Sequence, residues 1–154
     1  MKILLCVASL KEADEFLNHF SATAQGHPTL KFLYSTKILE HEVDIVETGV
    51  GIYQTAYKIT KVLSQRRYHQ AIKISFGNAY KQEIKVGKVL NIINEKPGDF
   101  GSMIDNKWND YYDLSLSNRE EEPHVRGGFI FMNTSGIKIL GAYKKVVGVT
   151  VNHY

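Results

Sequence analysis

Val43-Asp44-Ile45-Val46-Glu47-Thr48-Gly49-Val50-Gly51 is a run rich in β-branched residues that ends in a glycine-bearing turn, and Ile52, Ala56, Ile59 and Leu63 follow it at helical spacing. The pattern predicts a strand over 43–48, a tight turn, and an amphipathic helix over 52–66 with one face on a sheet. Amide groups at such a helix start lack intrahelical partners, and glycines without Cβ let a ligand oxygen approach them. Gly49, Val50 and Gly51 are therefore candidate ligand-binding residues, suited to an anion or a hydroxyl-bearing ligand. A second turn of the same kind, Ser75-Phe76-Gly77-Asn78-Ala79, ends the apolar strand expected over 71–76 and adds Gly77, Asn78 and Ala79 to the candidates.

Outward from this unit, residues 2–8 are apolar on both faces, as a central parallel strand is. A helix over 10–20 follows, with the stripe Ala13, Phe16, Leu17 and Phe20; Ser9 and Glu12 have capping-box spacing at its start. Gly26-His27-Pro28 marks a turn, and further strands are expected at 30–34, 86–93, 129–133 and 146–151. Arg66 and Arg67 close the second helix, where cations complement the helix dipole. Strands alternating with helices predict an α/β fold, three αβα layers around a central mixed sheet.

At 154 residues the chain is read as a single domain, 1–154. The stretch 99–122 reads as an excursion from the sheet: seven acidic residues stand against Lys107 and Arg119, yet Trp108, Tyr111, Tyr112, Leu114 and Leu116 need a surface to dock on. That surface is the domain's own core or a second copy of the chain. The one cysteine, Cys6, allows no intrachain disulfide and points to a reducing compartment, the cytoplasm. The first apolar run is too short to span a bilayer. A net charge of +3 spread along the chain argues against nucleic acid as partner.

Several chemistries find no support. Gln54 stands where a dinucleotide fingerprint needs its third glycine, and no Walker lysine follows either turn. Histidines 19, 27, 41, 69, 124 and 153 show no ligand spacing, so no metal is expected. No Gly-x-Ser-x-Gly elbow is present, and Cys6 lies in a strand expected to be buried.

The order of these segments resembles the nucleoside phosphorylase and nucleoside hydrolase superfamily, in particular methylthioadenosine nucleosidase and futalosine hydrolase. The resemblance runs almost end to end. It rests on Met1-Lys2-Ile3-Leu4-Leu5 with Glu12 beyond it, on Thr48-Gly49-Val50-Gly51, and on Gly77-Asn78-Ala79. It continues through Ile84-Lys85-Val86-Gly87-Lys88-Val89, Tyr112-Asp113-Leu114-Ser115-Leu116 and Gly148-Val149-Thr150-Val151-Asn152.

That family cleaves the bond between base and ribose. The resemblance implies that Glu12 is the water-activating base, that Asn152 joins the ligand-binding residues, that no cofactor is needed, and that a nucleoside or nucleobase is the small-molecule partner. The competing reading of Glu12 is a capping-box carboxylate and nothing more. Tyr80 replaces the glycine usual after Gly77-Asn78-Ala79. The family's Met-Glu helix and Ser-Asp strand, which grip the ribose and protonate the base, have no counterpart after Val151, so the carboxy-terminal part of the fold is expected to be missing. The sequence therefore predicts a homodimeric, catalytically inactive nucleoside binder. The alternative is an N-glycosidase of the futalosine or methylthioadenosine type, completed by a second chain.

Overall fold

Lys2–Val7 (β1) is apolar on both faces because it lies inside a sheet with a helix on each side. The computed structural model describes residues 1–131 and 138–151, and the chain divides into two units, Met1–Asn78 and Ala79–Tyr154. In the first unit β1 is followed by a 3-10 turn (Leu10–Ala13) and α1 (Asp14–His19). Next come β2 (Gln25–Gly26), β3 (Leu33–Ile38), β4 (His41–Glu47), α2 (Ile52–Leu63) and β5 (Gln70–Lys73). The sheet order is β2-β3-β4-β1-β5, with β1 parallel to both β4 and β5, and β3 antiparallel to β4.

Side chains alternate across this sheet. One face sends Leu4, Cys6, Leu33 and Val46 into a core closed by Val62 and Ile59 of α2. The other buries Leu5, Val7, Val43 and Ile45 against Ala13, Phe16 and Leu17. Each fully buried aliphatic side chain of this kind contributes about 1.5–3 kcal/mol. The first unit thus has the three αβα layers expected, around a mixed sheet.

Toward the amino ends of β1 and β4, the α2-facing side of the sheet turns polar. Lys37, Glu42 and Lys2 stand in register across three strands, and one rung further in Ser35 stands opposite Asp44. Asp44 is only 3% exposed. Its carboxylate accepts the hydroxyls of Ser35 at 2.6 Å and Tyr68 at 2.7 Å, and a guanidinium N–H of Arg66 at 2.9 Å. The Lys2 ammonium stands 3.8 Å away. Burial alone would raise the Asp44 carboxyl, but these donors outweigh it and hold it below the usual carboxylate range. Conversely, burial and the Asp44 charge push the Tyr68 hydroxyl upward.

Several element boundaries differ from the sequence expectation, each for a local reason. The strand expected at 30–34 begins at Leu33, because the His27 ring accepts the amides of Thr29 and Leu30 and keeps the chain turning. The helix expected over 10–20 opens as a 3-10 turn, and Ser9 makes no side-chain cap. The α2 helix ends at Leu63, with Ser64 capping it and Arg66 drawn off to Asp44. Its buried face is Ile59 and Val62, not the stripe Ile52, Ala56, Ile59 and Leu63, since Ile52 and Leu63 are exposed. The strand expected at 71–76 is Gln70–Lys73.

In the second unit, β6 (Leu90–Pro97) pairs in parallel with β10 (Lys144–Thr150) and antiparallel with β9 (Phe129–Ile130). A 3-10 turn covers Lys138–Ala142. Gly87, at φ +82°, turns the chain before β6, which starts later than the expected 86. The strand expected at 129–133 is seen at Phe129–Ile130; residues 132 and 133 lie outside the described residues. The excursion 99–122 contains a hairpin, β7 (Gly101–Ile104) and β8 (Lys107–Asp110), turned by Asp105 and Asn106 with positive φ. Beyond it Arg119 bonds Asp110 and Asp113 and covers the Tyr112 ring. Tyr111 is buried among Phe100, Tyr112 and His124, while Trp108 and Leu116 stay exposed. Among the described residues, no helix is long and apolar enough to cross a membrane.

Candidate functional site

Strands β4, β1 and β5 are adjacent and parallel, so the connections that leave their carboxyl ends emerge along one edge of the sheet. In open α/β sheets that edge is where ligands bind. It carries Ala8–Glu12 after β1, Thr48–Gly51 after β4, and the chain through Gly77 and Asn78 after β5.

The first two connections are laced together. Thr48 donates both its amide, at 2.8 Å, and its hydroxyl, at 3.0 Å, to the Val7 carbonyl, and the Gly49 amide donates to the Ala8 carbonyl at 3.0 Å. In return the half-buried Glu47 accepts the Leu10 amide at 3.2 Å. Glu12 is brought into this lacing: its carboxylate accepts the Ala8 amide at 2.7 Å, and its own amide donates to the Ser9 carbonyl at 3.1 Å. The expected capping box does not form: Ser9 makes no side-chain cap, and Glu12 reaches back past the Ser9 amide to that of Ala8. One Glu12 oxygen, Oε2, makes the Ala8 bond, and Oε1 has no hydrogen-bond partner among the described residues.

The two glycines of the turn do different things. Gly49, at φ +74°, faces Gln54 and Lys58, and a Cβ there would collide with the Gln54 amide oxygen. Lys58 reaches from α2 to donate to the Glu47 carbonyl at 3.0 Å, with its ammonium 5.5 Å from the Phe32 ring centre. Gly51, at φ +96°, caps α2, and a Cβ at this residue would meet nothing within 4 Å. Among the described residues no side chain caps that helix start. Its first-turn amides therefore remain available to an acceptor from outside, as expected of the turn. Val50 beside it is exposed.

The other candidates are less closely tied to this group. Gly77 and Asn78 lie exposed at the same edge, with open space around Gly77, and make no hydrogen bond to Glu12 or to the Thr48–Gly51 turn. Ala79 begins the second unit, and Asn152 lies outside the described residues. Cys6, buried in β1, has its thiol pushed up to about 11 by burial, so it is held as a neutral packing group. An open cleft of about 400 Å³ lies at the opposite end of the strands, lined by Lys2, Ser35, Lys37, Glu42, Asp44 and Arg66.

Glu47 and Lys58 were not among the candidates read from the sequence. Glu47 reads as a polar alternation at a strand end and Lys58 as a solvated helix position; the only available signal was a charged residue directly before Thr-Gly.

No protein-family model matches the sequence, and no curated protein matches it. Solved structures do. Helicobacter pylori MTAN superposes with a TM-score of 0.69 at 16% identity, covering 100% of this chain and 68% of its own. The chain has the nucleosidase fold. A Streptococcus pneumoniae MTA/SAH nucleosidase solved with 8-aminoadenine gives 0.70 at 19% identity, over 98% of this chain and 63% of that one. A futalosine hydrolase mutant of Helicobacter pylori gives 0.72 at 10% identity, over 100% and 69%. The chain thus spans about two thirds of the length of these nucleosidase-fold structures.

Proposed function

We propose that this protein binds a purine nucleoside at the carboxyl edge of β4-β1-β5 and promotes hydrolysis of its base–ribose bond, with Glu12 as the water-activating base. The observation that carries the reading is the placement of Glu12: one carboxylate oxygen is fixed on the amide of Ala8, the residue whose carbonyl accepts from Gly49 of the turn that opens α2, while the other has no hydrogen-bond partner among the described residues. Support also comes from the nucleosidase fold, one solved example of which holds an adenine analogue.

In such a reaction the sugar carbon passes through an oxocarbenium-like state as the base departs. Glu12 takes a proton from water while the water oxygen bonds to that carbon; the bond to the base breaks with its electron pair going to the base nitrogen, and the departing base takes its proton from solvent water. A carboxylate close to the developing positive charge also stabilises it. The first-turn amides of α2, with Gly51 giving access, are the donors for ligand oxygens. Gly49, Val50, Gly77 and Asn78 complete the proposed ligand-binding set within the first unit.

A second reading, binding without turnover, is favoured by one feature. The Glu12–Ala8 bond is also what a purely structural carboxylate would make. Thermal unfolding with adenine, hypoxanthine, adenosine, methylthioadenosine and futalosine, together with an assay for released base, separates the two. A ligand at one hundred times its Kd stabilises by about 2.7 kcal/mol, and each kcal/mol raises the midpoint of a chain this size by about 2–4 °C. A shift with base release is the expected result. A shift without release would favour binding alone, and no shift with any ligand would remove both readings.

The same fold is proposed to work as a cytoplasmic homodimer. α2 exposes Ile52, Tyr53 and Tyr57, the last two at 86% and 64%, and Leu63 at its end. A strip of this composition favours self-association. Light scattering is expected to give twice the chain mass at micromolar concentration; a monomer at high concentration would refute the dimer.

A further inference from the structure

Glu47, the last residue of β4, reaches with its side chain to the backbone of the turn that carries Glu12. It ends β4 on the same sheet face as Val43 and Ile45, the face on which Ala13, Phe16 and Leu17 pack, so its carboxylate points toward the start of the 3-10 turn. There its Oε1 accepts the amide of Leu10, the first residue of that turn. Glu12 lies two residues further on, and its grip on Ala8 is only as firm as the segment Ala8–Leu10 itself. That segment is held by four hydrogen bonds: the Ala8 carbonyl by the Gly49 amide, the Ala8 amide by the Glu12 carboxylate, the Ser9 carbonyl by the Glu12 amide, and the Leu10 amide by Glu47.

Without the Glu47 bond the Leu10 amide would lose its acceptor, and the start of the turn would be held by the bonds at Ala8 and Ser9 and by the packing of Leu10 and Ala13. A 3-10 turn of four residues has little cooperative strength of its own. The anchor is itself braced, because Lys58 holds the Glu47 carbonyl at 3.0 Å. We propose that Glu47 is a positioning residue for this site: by holding the Leu10 amide it fixes the 3-10 turn that presents Glu12 to the ligand. The inference rests on the proposed role of Glu12, but its structural half is testable without turnover.

The experiment compares the full chain with Glu47→Ala and Glu47→Gln, reading base release from methylthioadenosine and futalosine together with amide hydrogen exchange at Leu10 and Ala8. In Glu47→Ala, kcat is expected to fall about tenfold or more with KM within about twofold, because misplacing a base costs rate more than binding. The Leu10 and Ala8 amides should exchange about tenfold faster. Glu47→Gln keeps an oxygen that accepts the same bond, so it should retain most of the rate and of the protection. Should the alanine variant not fold, Glu47→Asp, which keeps the charge but shortens the reach, replaces it.

The proposal is overturned if Glu47→Ala leaves Leu10 exchange at the parental rate. It is equally overturned if Leu10 exchange rises while Ala8 exchange and kcat stay unchanged. A parent chain that releases no base is a failure of the proposed function alone, and the exchange at Ala8 then decides whether Glu47 steadies the Glu12 contact.

Discussion

A Glu12→Gln variant is expected to bind nucleoside ligands as the parent does and to lose base release by about 10²- to 10⁴-fold, the usual contribution of a positioned base. The amide oxygen of glutamine still accepts the Ala8 amide, so the turn that holds residue 12 keeps its shape. Stability should therefore stay within about 1 kcal/mol of the parent, since an acceptor of the same reach remains on the Ala8 amide. What glutamine lacks is a lone pair basic enough to take a proton from water. Measuring base release and the thermal midpoint on the same preparation separates the two roles. Release at the parental rate would remove Glu12 from the chemistry and leave it a capping residue. A large loss of stability would show instead that the carboxylate charge is part of the fold.

The second large effect concerns stability. Asp44→Ala is expected to cost about 3 kcal/mol, the lower end of the range for breaking a buried ion pair from one side. The lower end applies because Arg66 and Lys2, at 26% and 27% side-chain exposure, can turn toward water when their partner goes. The hydroxyls of Ser35 and Tyr68 lose their acceptor at the same time. For a chain of this size the midpoint should drop by about 6–12 °C.

The pH dependence has a definite sign. The Asp44 carboxyl is lower in the folded protein than in the unfolded chain. Its contribution is therefore fully present above the unfolded value of about 3.9 and disappears as pH falls through the lower folded value. The stability gap between parent and Asp44→Asn should be constant near neutral pH and close below about pH 4. An alanine variant within 1 kcal/mol of the parent, or a gap that does not close in acid, would count against this role of Asp44.

Both predictions turn on carboxylates, and the sequence reveals them unequally. Glu12 is legible because it follows an apolar strand at capping-box spacing, and because the resemblance places a glutamate there. The turn at Gly49 to Gly51 is legible for a comparable reason: a β-branched run, two glycines and a helical repeat leave few alternatives. Asp44 is not legible. A charged residue between Val43 and Ile45 reads as the solvent side of an alternating strand, and its partners Ser35, Arg66 and Tyr68 lie on other elements.

The α2 face shows the same limit. Helical periodicity marks Ile52, Ala56, Ile59 and Leu63, but the helix is held where Lys58 meets the Glu47 carbonyl and the chain beyond it where Arg66 meets Asp44, and Val62 is the side chain buried. Two polar anchors, each a tertiary contact, decide which hydrophobic residues go inside. Periodicity ranks the apolar residues of a helix; it carries no information about which polar ends find partners.

The central place of β1 has a consequence for how the chain is made. Its apolar segment Lys2–Val7 leaves the ribosome long before its neighbours β4 and β5, which end at Glu47 and Lys73. At ordinary synthesis rates the interval before β4 is complete is roughly 2–8 s. During it the nascent chain carries a strand with neither edge paired, while the β3–β4 hairpin, whose contacts are local, forms as soon as it emerges. The hairpin is thus the template onto which the older segment docks, and chaperone capture of the newborn chain should centre on Ile3 to Val7.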